Sequence, residues 1–320
     1  MSRILLSLFA SAAIFSSGSV LAQAWPSKPV SIVVTFSPGG SSDIVARLMQ
    51  APLQAALGQP VLIDNKPGGG GTIGAVAVAK AAPDGYTFLV TDNSFAVSSA
   101  LYEKLPYAPK DLMQVSLLAD APAVLVGRPG LAAKTLKEVV ELARSNPGKL
   151  TFGSGGQGSS AQLAMEAFLL QNKLELIHIP FKGIAPALME VAADRVDIAI
   201  SSVGTASAYI KDGRLLGLAV SSEKRHPNML NVPTFTEAGF SSYKMMYWFG
   251  MMAPAGTPPA IIDRMQKEIV KAVATQKVID VFGATGVRAI ATTPATFTKM
   301  VQSETTLWAE VIARAKIKPE

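Results

Sequence analysis

Glycines and small hydroxyl side chains stand between an apolar run and a helical pattern at several points of this chain. In the first case, the β-branched run 31–36 leads through Gly39 and Gly40 to Ser41 and Ser42. A strand that enters a helix through glycines exposes backbone N–H groups at the positive end of the helix dipole. Such a turn can hold an anion without a basic side chain. Two further stretches repeat the arrangement, residues 68–72 (GGGGT) and 153–160 (GSGGQGSS).

Two of these segments also match the dinucleotide fingerprint G-x-G-x-x-G, at residues 69–74 and 153–158. Each follows a predicted strand and opens a predicted helix, and Asp92 comes one strand-helix-strand unit after the first. Residues 65–67 (Asn-Lys-Pro), however, separate the first glycine run from its strand, and the motif is permissive in a glycine-rich chain. We therefore predict no cofactor, and interpret the turns as helix N-termini from two domains that capture an anion in one cleft.

Hydrolase chemistry would depend on the serine-rich loops and on the two histidines. Neither Ser154 nor Ser159 lies in a G-x-S-x-G nucleophile elbow. His178 falls at the end of a predicted strand, which favours a structural role, and His226 falls in a polar loop. No Asp, Glu or His cluster has the spacing of metal ligands. The residues predict no catalytic group and no metal site, and an exported hydrolase is kept as an alternative.

The first 24 residues have the pattern of a secretory signal peptide. One early cation, Arg3, precedes an apolar segment at 4–15 that is too short to span a bilayer, and cleavage is predicted after Ala22 or Ala24. The chain contains no cysteine, so disulfides and thiolate chemistry are excluded. These features predict an exported protein of the bacterial periplasm.

Charge and hydropathy limit the classes of molecule that this protein is expected to bind. The formal net charge of the chain is +6. The basic residues are dispersed along the chain, with few aromatic residues among them. This distribution predicts no nucleic-acid binding, whereas a mild basic excess would attract an anionic ligand. No apolar run after the signal peptide is long enough to cross a membrane, so we predict that the mature protein is not itself membrane-embedded.

The order of elements predicts an α/β protein of two domains. Strands and helices alternate as far as residue 220, with separate strands at 115–119 and 123–127. The terminal helices, at 259–275, 276–283 and 294–315, are expected to return to the first domain. The chain would thus cross between domains twice, near residues 120–126 and 248–254. We predict domain 1 at residues 25–122 and 250–320, and domain 2 at residues 123–249.

Motifs along essentially the whole mature chain resemble the tripartite tricarboxylate transporter substrate-binding proteins, also called the Bug family of periplasmic solute receptors. The resemblance rests on AWPSKPVSIVVTFSPGGSSDIVARL, GQPVLIDNKPGGGGTIGA, AAPDGYTFL, NPGKLTFGSGGQGSSAQLAME, IHIPFKGIAPAL, GRLLGLAVSSEKR, VPTFTEAGF and WFGMMAPAGTP. It implies a two-domain type II periplasmic-binding-protein fold with the ligand cleft between domains and the two crossover segments as its hinge. It also implies a monomer that delivers ligand to a two-component inner-membrane permease.

The resemblance further implies the ligand site. In the family, backbone amides and waters at the first-domain loops hold one carboxylate of a small organic acid, and the second-domain loops shape the remainder of the site. The ligand-binding residues expected by this comparison are Phe36, Ser37, Gly39, Gly40, Ser41, Ser42, Gly70, Gly71, Thr72, Ser94, Ser154, Gly156, Ser159, Phe181, Lys182, Gly183 and Ser201.

The chain departs from the family pattern in the expected pocket. Thr72 replaces the asparagine of the usual A-G-G-N turn, and Ser201 stands where an acidic residue is common. An acidic residue at that position would repel a second carboxylate or attract an amine. Its absence favours a plain mono- or dicarboxylate over an amino acid. A periplasmic carboxylate receptor is therefore the predicted function, and a ligand sensor for a signalling partner is a second alternative.

Overall fold

The computed structural model describes residues 25–315 and residue 317. The predicted signal peptide, residues 1–24, lies outside the described residues. Strands and helices alternate, as the sequence predicts. The strands are β1 (Val30–Val34), β2 (Val61–Asn65), β3 (Thr87–Asp92), β4 (Leu112–Gly127), β5 (Thr151–Ser154), β6 (Ile177–Pro180), β7 (Ile198–Ser202), β8 (Leu216–Val220), β9 (Met246–Pro254) and β10 (Arg288–Ala289). The helices are α1 (Ser41–Leu57), α2 (Thr72–Ala79), α3 (Ser94–Leu101), α4 (Leu136–Ser145), α5 (Ser160–Asn172), α6 (Ile184–Ala192), α7 (Val203–Lys211), α8 (Pro259–Val273), α9 (Gln276–Ala284) and α10 (Pro294–Ala315).

The long strand β4 belongs to two sheets. Its first part, to Pro122, pairs antiparallel with β9 and β10 in a sheet of order β2-β1-β3-β9-β4-β10. Its second part, from Ala123, pairs antiparallel with β7 and β8 in a sheet of order β8-β4-β7-β5-β6. We call residues 25–122 and 246–315 the first lobe, and residues 123–245 the second lobe.

The strand pairing bears on where the chain changes lobes. The first change falls within β4, between Pro122 and Ala123. The second falls just before Met246, because Met246 pairs with Pro122 and Phe249 pairs with both Asp92 and Ala119 in the first sheet. Residues 246–249 thus join the first sheet, although the predicted boundary assigned them to domain 2. The domain limits themselves stay a prediction.

Each lobe is built around a buried parallel core. In the first lobe, β1 (VSIVV) lies between β2 and β3, parallel to both, and is buried on both faces. In the second lobe, β5 lies between β6 and β7 and is parallel to both. Parallel strands covered by helices on both faces are expected to be apolar throughout, and their carboxyl ends lead directly into the helices that start at the cleft.

Most helix ends follow their capping signals. Thr135 caps α4, and Glu138 completes the capping box. Gly58, with a φ of 66°, ends α1. Pro52 lies inside α1, where a proline usually kinks or ends a helix, yet the helix continues to Leu57. Met49, Leu53 and Leu57 are buried on either side of it, and burying such side chains outweighs a cost of about 3 kcal/mol for one interior proline.

One prediction for the middle of the chain is wrong. The strands at 115–119 and 123–127 form the single strand β4, because Pro122 sits where the strand changes partners and its missing N–H breaks neither ladder. Residues 94–101, for which the sequence analysis predicts no element, form α3. This helix is short and nearly all buried, so it lacks the polar face by which a surface helix is recognised.

The terminal helix α10 packs against α3 and β4 of the first lobe and also against α5 of the second. Its Glu304 accepts hydrogen bonds from Asn93 Nδ2 at 3.0 Å and from Trp308 Nε1 at 2.8 Å. Asn93 in turn accepts from the backbone N–H of Trp248 on β9. Across the residues described, no helix has both the length and the apolar character needed to cross a membrane.

Candidate functional site

A cavity of about 20 Å³ lies between the two lobes. Its walls come from the carboxyl ends of strands and the first turns of helices, and hydroxyl groups predominate among its polar atoms. The lining residues are Phe36, Ser41, Ser42, Asp92, Gly155, Ser159, Ser160, Ala161, Ile184, Ser201, Ser202 and Tyr247.

Four helices begin at this cavity. Helix α1 of the first lobe starts there at Ser41, and helices α5, α6 and α7 of the second lobe start there at Ser160, Ile184 and Val203. The first N–H groups of a helix have no partner within the helix and carry a partial positive charge. The helix starts therefore bring partial positive charge to the cavity, whose described lining holds no Lys, Arg or His but includes the acidic Asp92.

Hydroxyl groups join the lobes across the cavity. Ser41 Oγ lies 2.8 Å from Ser202 Oγ and 2.7 Å from Thr205 Oγ1 at the start of α7. Beside this pair, the backbone N–H of Ser160 donates to Ser94 Oγ at 2.9 Å. These bonds are short and fully buried, so they hold the first turns of α1, α5 and α7 in a fixed relation.

Glycines let the two lobes approach closely. A Cβ added at Gly70 would lie 2.1 Å from the carbonyl oxygen of Gln157 in the other lobe, and one at Gly183 would lie 2.3 Å from Ser37 Oγ. Both glycines also have φ in the left-handed range, 60° and 149°. A larger residue at Gly70 would separate the walls, because it meets backbone atoms, whereas at Gly183 the nearest atom belongs to a side chain.

The structure divides the predicted site residues into groups. Five of them line the cavity: Phe36, Ser41, Ser42, Ser159 and Ser201. Gly70, Gly71 and Ser94 line a second, smaller cavity behind it. Residues that line neither cavity are Ser37, Gly39, Gly40, Thr72, Ser154, Gly156, Phe181, Lys182 and Gly183.

Several residues of the last group have local roles instead. Thr72 Oγ1 donates to the carbonyl of Gly69 at 2.8 Å. Lys182 is exposed and does not line the cavity. Ile184, two residues later, lines it instead. Gly39 N–H donates to Asp43 Oδ2 at 2.9 Å, and the same carboxylate pairs with Arg47. Asp43 and Arg47 thus form a local ion pair at the start of α1.

Ser154 and His178 form a structural pair. Ser154 Oγ lies 2.6 Å from His178 Nε2 and accepts from the backbone N–H of Gly156 at 3.1 Å. The imidazole stacks on Phe152 with a centroid distance of 4.8 Å. Burial lowers the pKa of His178 to about 4, so the ring is neutral at neutral pH.

This pair predicts a pH dependence of stability. The folded protein binds the His178 proton less tightly than the unfolded chain, whose pKa is near the ordinary 6.5. The free energy of unfolding should therefore fall as the pH is lowered from about 6.5 to about 4. His178→Gln, compared with the original protein by urea unfolding at pH 7 and pH 5, should show a smaller loss. The pKa of His226 is also lowered by burial, so His226 contributes the same loss of stability in both proteins. An equal total loss in the two proteins would contradict the assignment to His178.

Sequence reasoning missed several lining residues, above all Asp92 and Tyr247. Asp92 is the last residue of β3, and the carboxyl end of a parallel strand is where ligands are held in open α/β sheets. The position of Asp92 at the end of a strand could have indicated a ligand-binding role, but the sequence analysis considers Asp92 only as part of a dinucleotide fingerprint. Tyr247 gave no signal, because it reaches the cavity through the pairing of β9 with β4.

Asp92 and Tyr247 are the titratable side chains of the described cavity wall. Burial raises the pKa of Asp92, while hydrogen bonds from Ser94, Ser160 and Ser42 act in the opposite direction. The pKa of Tyr247 is raised well above its ordinary value, first by burial and then by the nearby Tyr243 and Asp92. Tyr247 is therefore a neutral phenol at neutral pH.

Comparison with known proteins identifies the family. The model of the tripartite tricarboxylate transporter family receptor matches residues 45–317. The chain belongs to this receptor family. It is 36% identical to BugT of Bordetella pertussis over 304 residues, which are 93% of each protein.

Solved structures of such receptors share the fold. The periplasmic binding protein BugD is 30% identical, with a TM-score of 0.88 over 92% of this chain and 100% of that one. MatC from Rhodopseudomonas palustris, solved with bound malate, is 30% identical with a TM-score of 0.85 over 90% and 100% of the two chains. The mixed α/β architecture described above is thus that of a two-domain periplasmic binding protein, as the sequence predicts.

Proposed function

We propose that this receptor captures a small organic carboxylate between its two lobes in the periplasm and delivers it to a two-component inner-membrane permease. The observation that supports this most directly is the convergence of four helix N-termini on one cavity without a basic side chain. Dipoles and hydroxyl groups bind an anion reversibly, because they offer several moderate hydrogen bonds rather than one strong ion pair. Malate in MatC is an organic acid of the proposed kind.

Ligand entry requires the lobes to separate. A cavity of about 20 Å³ holds roughly one water molecule, far less than a four-carbon acid. The two connections between the lobes, within β4 and just before β9, are the segments about which the lobes would rotate. We propose opening and closure about this pair of connections, with the closed form presented to the permease as a monomer.

Buried geometry argues against the hydrolase alternative. Ser154 is completely buried, so an ester carbonyl has no path to its hydroxyl. Ser159 Oγ accepts from Gln162 N–H as the cap of α5 and has no histidine partner among the residues described. Neither serine is arranged as an activated nucleophile.

The proposed function is tested with purified mature protein. Isothermal titration calorimetry with acetate, propionate, succinate, malate and citrate should show saturable binding of at least one acid. The corresponding amides serve as controls, because they have the same shape without the negative charge. Absence of binding for all acids would overturn the ligand class. Uptake of the identified acid by cells, with and without the gene, would test delivery.

Ser41→Ala should weaken binding of the identified acid about tenfold. The substitution removes the hydroxyl that joins α1 to Ser202 and Thr205 across the cleft, and two net hydrogen bonds amount to about 1–3 kcal/mol. Ser242→Ala, at an exposed position of the second lobe, is the matched control and should leave the dissociation constant unchanged. Equal affinity in Ser41→Ala would show that these bonds do not contribute to the bound state.

A further inference from the structure

Asp92 places a buried hydrogen-bond acceptor in the cavity wall. Its carboxylate accepts from the backbone N–H of Ser94 at 2.8 Å and from Ser42 Oγ at 3.4 Å. The residue is only 5% exposed and lines the cavity. The hydroxyl groups of Ser94 and Ser160 also bond to this carboxylate. The bond from Ser42 is long for a hydroxyl donor, so a donor that arrives with the ligand would take that position.

Tyr247 places an unpaired hydroxyl beside it. Tyr247 lines the same cavity and is 3% exposed, and its Oη has no hydrogen-bond partner among the residues described. Asp92 is paired with Phe249 across β3 and β9. Tyr247, two residues before Phe249, lies on the same face of the sheet as its diagonal neighbour.

Asp92 and Tyr247 together match a ligand group that can both donate and accept a hydrogen bond. A carboxylate can only accept a hydrogen bond, and a buried phenol lacking a partner needs one. A ligand hydroxyl satisfies both, because it donates its proton to Asp92 and accepts from Tyr247. A methylene at this point would leave the Tyr247 hydroxyl without a partner and would offer no donor to Asp92, and a second ligand carboxylate would meet the acidic group of Asp92 at close range.

We propose that Asp92 and Tyr247 form a selectivity subsite for the hydroxyl group of a hydroxy-carboxylate. An ammonium group could also donate to Asp92, but it would face the positive ends of α1 and α5, which a neutral hydroxyl does not oppose. The inference rests on the proposed function and specifies its ligand. It also changes the expectation drawn from Ser201, because Asp92 supplies an acidic group to the cavity from the other lobe.

The test uses pairs of acids that differ by one group. Dissociation constants of the mature protein are measured by calorimetry for malate against succinate, lactate against propionate, and aspartate against succinate. The hydroxy acid of at least one pair should bind at least about tenfold more tightly than its unsubstituted partner, and more tightly than the amino acid. Asp92→Asn and Tyr247→Phe should each reduce that ratio to within about threefold. Tyr247→Phe removes only an oxygen without a partner, so it should fold as well as the original, which a melting curve confirms.

The outcomes distinguish failure of the hydroxyl subsite from failure of the proposed receptor function. If some acids bind but the unsubstituted acid or the amino acid is preferred, the subsite is wrong and the receptor function stands. If the hydroxy acid is preferred and both variants keep the full ratio, selectivity arises elsewhere and the subsite is equally wrong. If no acid binds at all, the proposed function itself fails, and the inference fails with it.

Discussion

Replacing Gly70 with alanine is expected to lower ligand affinity by at least about 100-fold while the protein remains folded. The new Cβ would lie 2.1 Å from the backbone oxygen of Gln157, and real Cβ contacts of that kind do not occur. Because Gly70 and Gln157 lie in different lobes, the conflict can be relieved by a wider cleft rather than by unfolding. A receptor that cannot close loses the contacts from one wall of its site.

The matched control for Gly70→Ala is Gly213→Ala. Gly213 has a similar φ of 68°, and nothing lies within 4 Å of a Cβ built there. Both variants therefore carry the same backbone strain of about 1–2 kcal/mol, but only the first blocks the approach of the lobes. Calorimetry with the identified acid and melting curves should show similar destabilisation and very different affinity. Equal affinity in the two variants would mean that the lobes do not close at Gly70.

The largest effect on stability is expected for Gly250→Ala. Gly250 on β9 faces the ring of Phe297, and an added Cβ would lie 2.0 Å from its nearest carbon. The ring is fully buried and packs edge-on against Trp248 at 5.3 Å, so it has no free space into which to move. Overpacking of this severity should lower the free energy of unfolding by about 3 kcal/mol.

Two further variants make the Gly250 prediction specific. Gly283→Ala in α9 has nothing within 4 Å of the added carbon and should be neutral or slightly stabilising. Phe297→Leu should destabilise alone but recover part of the loss when combined with Gly250→Ala, because the smaller side chain leaves room for the methyl group. Strict additivity of the two substitutions in urea unfolding would show that the ring is not the source of the effect.

The first lobe was largely predictable because its signals are local. The apolar run of β1, the glycine turn and the seryl start of α1 each follow from a few neighbouring residues, and the structure assembles them as expected. The five predicted residues that line the cavity belong to such strand-to-helix turns. Lys182 and Thr72 lie outside both cavities, which sequence alone does not reveal, because neighbouring loop residues look alike in sequence while burial differs from one position to the next.

The remainder of the site depends on pairing between distant strands. Tyr247 reaches the cavity only because β9 returns between β3 and β4, a long-range choice that no local pattern specifies. The extent of β4 was missed for a related reason: proline normally ends a strand, but here it coincides with the exchange of one partner strand for another. The second change of lobe, before Met246, follows from the same pairing.

The sharing of β4 between two sheets has a consequence for cooperativity. A chain with two separate cores can lose one and keep the other, and it then melts in two steps. Here one strand carries hydrogen-bond ladders of both sheets, so the loss of either ladder exposes the other. We therefore expect the two lobes of the receptor to unfold together. The free energy of binding a ligand between the lobes should then raise the free energy of unfolding of the entire chain. Proteolysis at any site should depend on this same free energy of unfolding.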